Sequence, residues 1–171
     1  MVTSLNLLTF YVDERMHAFA VEHIENIISM VTIKPISQAS SITEGIINVH
    51  GEAVPVVDLS RFLGKPKFHY NFHTPIILIN IKGHLVGLIV ESVNDVISVP
   101  STSIIHPKDI LPEDLQDAAL IDSVAYTAST FVLILNPNHL FHPDQIQVLS
   151  EASGYLIELV NSGKLEGWPQ S

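Results

Sequence analysis

The chain carries nine histidines and no cysteine, so its chemistry would have to run through imidazole, carboxylate and hydroxyl groups. His69-x₃-His73 and His139-x₂-His142 have spacings that a helix turns onto one face, as metal-ligand pairs require. Each pair lies beside a proline, Thr74-Pro75 in one case and Pro143 in the other, and neither segment reads as a long regular helix. Zinc also needs a third or fourth ligand. These read as loop histidines, and no metal or other cofactor is expected. Lack of cysteine excludes disulfides, thiolate nucleophiles and Cys-based zinc sites. A Ser-His-Asp set can be picked from any chain of this length, but no Gly-x-Ser-x-Gly elbow occurs. No Gly-x-Gly-x-x-Gly or Walker pattern offers a phosphate cradle. Asp58 is the best-placed carboxylate, and its position is that of a helix N-cap. No catalytic residue is expected. The reading from another class is a small metal-dependent hydrolase using His69, His73 or His139, which stoichiometric zinc after purification would favour.

Asp58 lies in the stretch from Gly45 to Gly64, on which the reading of the chain turns. Ile46 to Val49 and Ala53 to Val57 read as two strands joined at His50-Gly51, a dipeptide suited to a turn with φ > 0. Pro55 cannot donate to a ladder, so it belongs at an edge or at a break in pairing. After Asp58, Leu59, Phe62 and Leu63 recur at helical spacing, and Gly64 with Pro66 stops the helix.

Around that stretch the chain repeats itself in pattern. Leu7 to Val12 and Met16 to Val21 read as strands about the polar turn Asp13-Glu14-Arg15. Ile24, Ile27 and Ile28 follow at helix-like spacing, which predicts a short turn or helix over Glu22 to Asn26. Gln38 to Glu44 reads as a polar loop. Ile76 to Ile81, the turn Lys82-Gly83 and His84 to Val90 then repeat the opening hairpin 69 residues on, with Val21-Glu22 over Val90-Glu91 and Ile27-Ile28-Ser29 over Val96-Ile97-Ser98. Val54 to Asp58 with its helix is echoed by Val132 to Asn136 followed by Pro137 to Phe141, a strand, a capping residue and one short helix. Ala118 to Tyr126 supplies the strand before it, and Pro107 to Asp117 is an acidic linker. Two copies of one unit imply two similar sub-barrels, and many short strands point independently to an all-β class. From Pro143 on, Ile146, Leu149, Leu156 and Leu159 predict a C-terminal helix that packs its apolar stripe on the barrels.

At 171 residues, 47% apolar and 15% charged, the chain is one globular domain with a sizeable core. It has no run of 18 apolar residues and no basic, cleavable N-terminal segment, so a protein that is not membrane-embedded and stays cytoplasmic is expected. Eight Lys and Arg against 18 Asp and Glu give a net charge of −10, which repels phosphate backbones, so no nucleic-acid partner is expected. The imbalance grows after His106, which reads as a solvated surface or, more sharply, as an acidic face that steers a basic partner surface.

The pattern Gly-x-x-Asn-x-(Arg)-Gly-x-x-x-Pro-x-x-Asp-Leu resembles the signature of the chemotaxis coupling (CheW-like) family, with Gly45, Asn48, Gly51, Pro55, Asp58 and Leu59 in place and His50 where the family usually has Arg. A weaker resemblance covers about residues 7 to 142. It implies a domain over 1–142 of two intertwined SH3-like five-stranded β-barrels with short helices, followed over 143–171 by the C-terminal helix and tail. It also implies a non-enzymatic adaptor that binds a chemoreceptor's cytoplasmic tip and the regulatory domain of a chemotaxis histidine kinase, and is recruited to membrane-associated receptor arrays. Carried over, the receptor-facing residues are Ile24, Gly45, Asn48, His50 and Gly51, with Val86 and Gly87 on the second hairpin. His50 and Asn26, where many members carry Glu, depart from the family pattern and suggest a divergent array such as one governing pilus-driven motility. An SH3-like interaction module outside chemosensing is the remaining alternative.

Overall fold

A computed structural model of the chain describes residues 3–35, 43–109, 121–128 and 130–141, with isolated positions beyond. The C-terminal helix expected from Pro143, most of the polar loop before Glu44 and the acidic linker beyond Asp109 lie outside these residues. Strand β1 (Ser4–Val12) turns at Asp13 and Glu14, both at positive φ, into β2 (Arg15–Ala20). A 3-10 turn at Val21–His23 leads into β3 (Ile24–Ser29). Then come β4 (Gly45–Val49), β5 (Glu52–Asp58) and helix α1 (Leu59–Phe62). The second half runs through β6 (Pro75–Ile81), β7 (His84–Ile89), β8 (Ser92–Pro100), β9 (Ile104–Ile105), β10 (Ile121–Thr127), β11 (Thr130–Leu135) and α2 (Pro137–Leu140).

The ladders form two sheets, β8-β1-β2-β11-β10-β9 and β3-β6-β7-β5-β4. Each sheet takes strands from both halves of the chain, which is what makes the two units intertwined. The exchange has the same geometry twice. In one sheet β5 lies parallel to β7 with Val56 opposite Gly87; in the other β11 lies parallel to β2 with Ile134 opposite Ala18. The capping residues match as well, since Asp58 Oδ1 accepts the Ser60 amide at 2.9 Å and Asn136 Oδ1 accepts the Asn138 amide at 3.0 Å. The short β9 makes the first sheet six-stranded, one more than the resemblance implies. Its counterpart is the single bridge between Lys34 and Ile46.

Three apolar clusters hold the sheets. The largest, with Phe10, Phe19, Val57, Leu59, Ile79, Val86 and Leu88, draws on both sheets and forms the core between them. Leu7, Ala18, Val99 and Ile134 fill one unit, and Ile47, Val54, Val56, Ile76 and Leu78 fill the other. Each fully buried Leu, Ile or Phe of this kind contributes roughly 1.5–3 kcal/mol over an exposed one.

Of the short turn or helix expected over Glu22 to Asn26, the 3-10 turn takes Glu22 and His23, and from Ile24 on the chain is a strand instead. β3 pairs antiparallel with β6, and its register shifts between Ile24 and Asn26, which leaves Glu25 as a bulge. The extra residue breaks strict alternation and spaces the isoleucines as a helix would. β8 slips in the same way between Val93 and Val96, opposite Thr9, whose hydroxyl donates to the Asp95 carbonyl at 2.7 Å. Both strands are sheet edges, where bulges discourage further pairing. Pro55 falls opposite Ile46, whose amide and carbonyl are both spent on Lys34. The pair across β4 and β5 is thus a non-hydrogen-bonded one, and the missing proline N–H costs that ladder nothing. On its other side the ladder to β7 begins only at Val56.

Candidate functional site

The turn between β4 and β5 is built by three residues. His50 has φ 50° and Gly51 φ 85°, the two positive values that a two-residue hairpin turn of this twist needs. Asn48 fixes it, its Oδ1 accepting the Gly51 amide at 2.6 Å. His50 and Gly51 are exposed at the tip, and Asn48 is half-buried.

The other expected residues lie in two neighbouring cross-strand rows of the same sheet. Ile24 of β3 stands opposite Ile79 of β6, which stands opposite Val86 of β7. In the next row Asn26 faces Leu78, Leu78 faces Gly87, Gly87 faces Val56 and Val56 faces Gly45, so a single row crosses all five strands. The fold therefore places Ile24, Gly45, Val86 and Gly87 in two neighbouring rows, with Val86 and Gly87 adjacent at the centre and Ile24 and Gly45 on opposite edge strands, and sets Asn48, His50 and Gly51 apart at the end of β4.

Burial divides the set differently. Val86 is 1% exposed within the shared core. Gly87 is buried, and a Cβ on it would lie 2.9 Å from Ile76 Cγ2. Gly45, at φ 145°, lies so close to the bridge strand that a Cβ would sit 2.4 Å from the Lys34 carbonyl oxygen. These three serve the packing of the sheet. Ile24 is half-buried against the shared core, leaving it, Asn48, His50 and Gly51 as the members that solvent reaches.

The hairpin is anchored at the end opposite its turn. Asp58, fully buried, accepts from the Ser60 amide, from Ser60 Oγ at 2.5 Å and from the Tyr70 hydroxyl. Burial, and then the bond to Asp58, push the Tyr70 phenol well above its ordinary pKa. Glu44, just before β4, pairs with Arg61 at 3.2 Å and Lys67 at 3.0 Å. Asp58 is thus the N-cap that its position predicts, with every oxygen contact spent on structure. Of the histidine pairs, His69 and His73 lie in the loop after α1, His139 lies in α2, and His142 is outside the described residues. Among the described residues no three His, Asp or Glu are grouped to hold a metal ion.

Several apolar side chains that no sequence motif marks are exposed: Ile27 on β3, Val96 on β8, Phe72 in the loop before β6, and the packed pair Tyr126 and Phe131 on β10 and β11. The repeat already superposes Ile27 on Val96, so that signal was present. Their side of the sheet was hidden by the bulges.

The profile of the CheW-like domain matches residues 6–145. The chain belongs to the CheW-like domain family. Among its relatives is the chemotaxis protein CheW of Treponema pallidum, 22% identical over 153 residues that cover 84% of this chain and 86% of that one. The CheW of Bacillus subtilis is 33% identical over 112 residues, 60% of this chain and 69% of that one. The crystal structure of the scaffolding protein TtCheW from Thermoanaerobacter tengcongensis superposes with a TM-score of 0.74 at 26% identity, over 84% of this chain and 96% of that one. The all-β, SH3-like architecture is thus the family's, and the chain is a non-enzymatic, CheW-like chemotaxis scaffold. No helix among the described residues is long and apolar enough to cross a membrane.

Proposed function

We propose that this CheW-like scaffold couples a chemoreceptor's cytoplasmic tip to the regulatory domain of a chemotaxis histidine kinase, in the cytoplasm at membrane-associated receptor arrays. The observation that carries the reading is the Asn48–Gly51 hairpin, an exposed turn locked by a side-chain bond, on strands anchored at their far end by the buried Asp58. A preorganised turn spends little entropy on docking. The receptor's helical tip meets Asn48, His50, Gly51 and the exposed part of Ile24, while Gly45, Val86 and Gly87 shape the sheet beneath them. Both departures from the family pattern, His50 and Asn26, are exposed, which supports service in a divergent array such as one for pilus-driven motility.

The test is a bridging experiment. A receptor-tip fragment and the kinase regulatory domain are passed together over a sizing column with and without this protein. Co-elution that needs the protein supports coupling. Binding to one partner alone would reduce the role to that of a simple ligand, and binding to neither would leave an SH3-like module outside chemosensing.

A further inference from the structure

A second turn repeats the Asn48–Gly51 hairpin feature for feature. In Asn80-Ile81-Lys82-Gly83, between β6 and β7, Asn80 Oδ1 accepts the Gly83 amide at 2.9 Å, as Asn48 does for Gly51 at 2.6 Å. Lys82 has φ 50° and Gly83 φ 87°, against 50° and 85° for His50 and Gly51. The two turns also lie at one end of one sheet, because the strands that leave them, β5 and β7, are parallel neighbours with Val56 opposite Gly87. Counted back along that register, Gly51 comes level with Lys82. Both tips are exposed.

Lys82 is an unusual choice for its place. The first central position of such a turn favours Asn, Asp or Gly, which enter the left-handed region at little cost. A lysine there holds its ammonium group at the apex of a rigid hairpin. Among the described residues Lys82 makes no ion pair, whereas Arg61 and Lys67 are tied to Glu44 and Lys65 approaches Asp13. Its surroundings in sequence are free of acid: no Asp or Glu occurs from Leu59 to Val90, in a chain with 18 of them. The one carboxylate on the twin tips is Glu52, at the start of β5.

We infer that the β6–β7 turn is the second half of the partner-binding surface, and that Lys82 takes a carboxylate of the helical segment docked on the Asn48–Gly51 turn. This rests on the reading that the first turn faces the receptor tip. Two rigid turns side by side give a helix two points of attachment, one hydrogen-bonding and one cationic. The charge adds selectivity for an acidic face more than it adds affinity.

The test uses the whole protein and a receptor-tip coiled coil, titrated at two salt concentrations. Lys82→Asn keeps a residue that suits the turn and removes only the charge. It is expected to leave the melting temperature unchanged or higher, to weaken binding up to about five-fold, and to flatten the salt dependence. Lys82→Arg should bind as the parent does, and Lys82→Glu should lose more than Lys82→Asn. In a double-mutant cycle with His50→Asn the two losses should couple, since one segment spans both turns. If Lys82→Asn and Lys82→Glu bind like the parent while His50→Asn binds more weakly, the second turn has no part in docking, and the reading of the first turn stands. No saturable binding by the folded parent protein would overturn both.

Discussion

Gly87 passes Ile76 so closely that a Cβ added to it would stand 2.9 Å from Ile76 Cγ2, with Val56 Cγ2 at 3.5 Å behind it. The contact lies inside the sheet, between β7 and β6, and the glycine is what allows the strands to pack there. Gly87→Val is therefore expected to act through the fold. Overpacking of this kind costs about 1–3 kcal/mol, which denaturant titration would read as a lower midpoint with an unchanged slope. Loss of partner binding without loss of stability would instead make Gly87 a contact residue.

Gly45 carries a stricter demand, because φ 145° and the Lys34 carbonyl oxygen 2.4 Å from its would-be Cβ act together. Gly45→Ala should cost more than an ordinary surface substitution, on the order of 2 kcal/mol or more, and loosen the Lys34–Ile46 bridge. Hydrogen exchange at the Ile46 amide, which donates to Lys34 at 2.9 Å, would show the loosening directly.

Tyr70 ties the loop after α1 to the buried Asp58 carboxylate, and its ring packs edge-on against Phe68 at 5.2 Å between centroids. Tyr70→Phe keeps the ring and removes the donor. The expected loss is about 1–2 kcal/mol, below the full value of a bond to a charged group because Tyr70 is only partly buried. Amides from Asn71 to Thr74 should exchange faster in the variant. Unchanged stability would mean that Ser60 alone suffices for Asp58.

His17 is buried beside Phe10, and its Nδ1–H donates to the Arg15 carbonyl at 2.9 Å, since a carbonyl can only accept. Burial lowers its pKa from the ordinary 6.5 to about 4; the hydrogen bond to the Arg15 carbonyl opposes the drop, and the charges of Arg15 and Lys65 add to it. The unfolded chain then binds a proton that the folded one refuses between these values. Stability is fully present above pH 6.5 and falls as pH drops towards about 4, by an amount on the order of 2–3 kcal/mol. His17→Val, which places at this position the residue found at its repeat counterpart Val86, should flatten the profile in that window. An unchanged acid limb would assign the loss to other groups.

Much of this fold can be read from the residues. His50-Gly51 and Lys82-Gly83 announce their turns because positive φ restricts what can stand there, and Asp58 and Asn136 announce helix starts because amides at a helix terminus need acceptors. The swap of β5 and β11 between the halves is not legible, since parallel pairing of distant strands leaves no local pattern. The bulge at Glu25 shifts the alternation of β3 and gives its isoleucines a helix-like spacing. At the site, the motif picks out positions without separating contact from packing. The resemblance carries over Gly45, Val86 and Gly87 as receptor-facing, and the structure adds what the residues alone do not show, that all three are buried within the packing of the sheet.

The most direct test of coupling is a pair of titrations on the whole protein, one with a receptor-tip coiled coil and one with the kinase regulatory domain, each repeated with His50→Asn. Asn suits the turn as well as His does, so the variant should fold and melt as the parent. Coupling through the β4–β5 turn predicts saturable binding to both partners, with about a ten-fold weaker receptor tip in the variant, roughly 1.4 kcal/mol, and an unchanged kinase domain. A folded parent that binds neither partner, or a variant that loses the kinase domain and keeps the receptor tip, would contradict it.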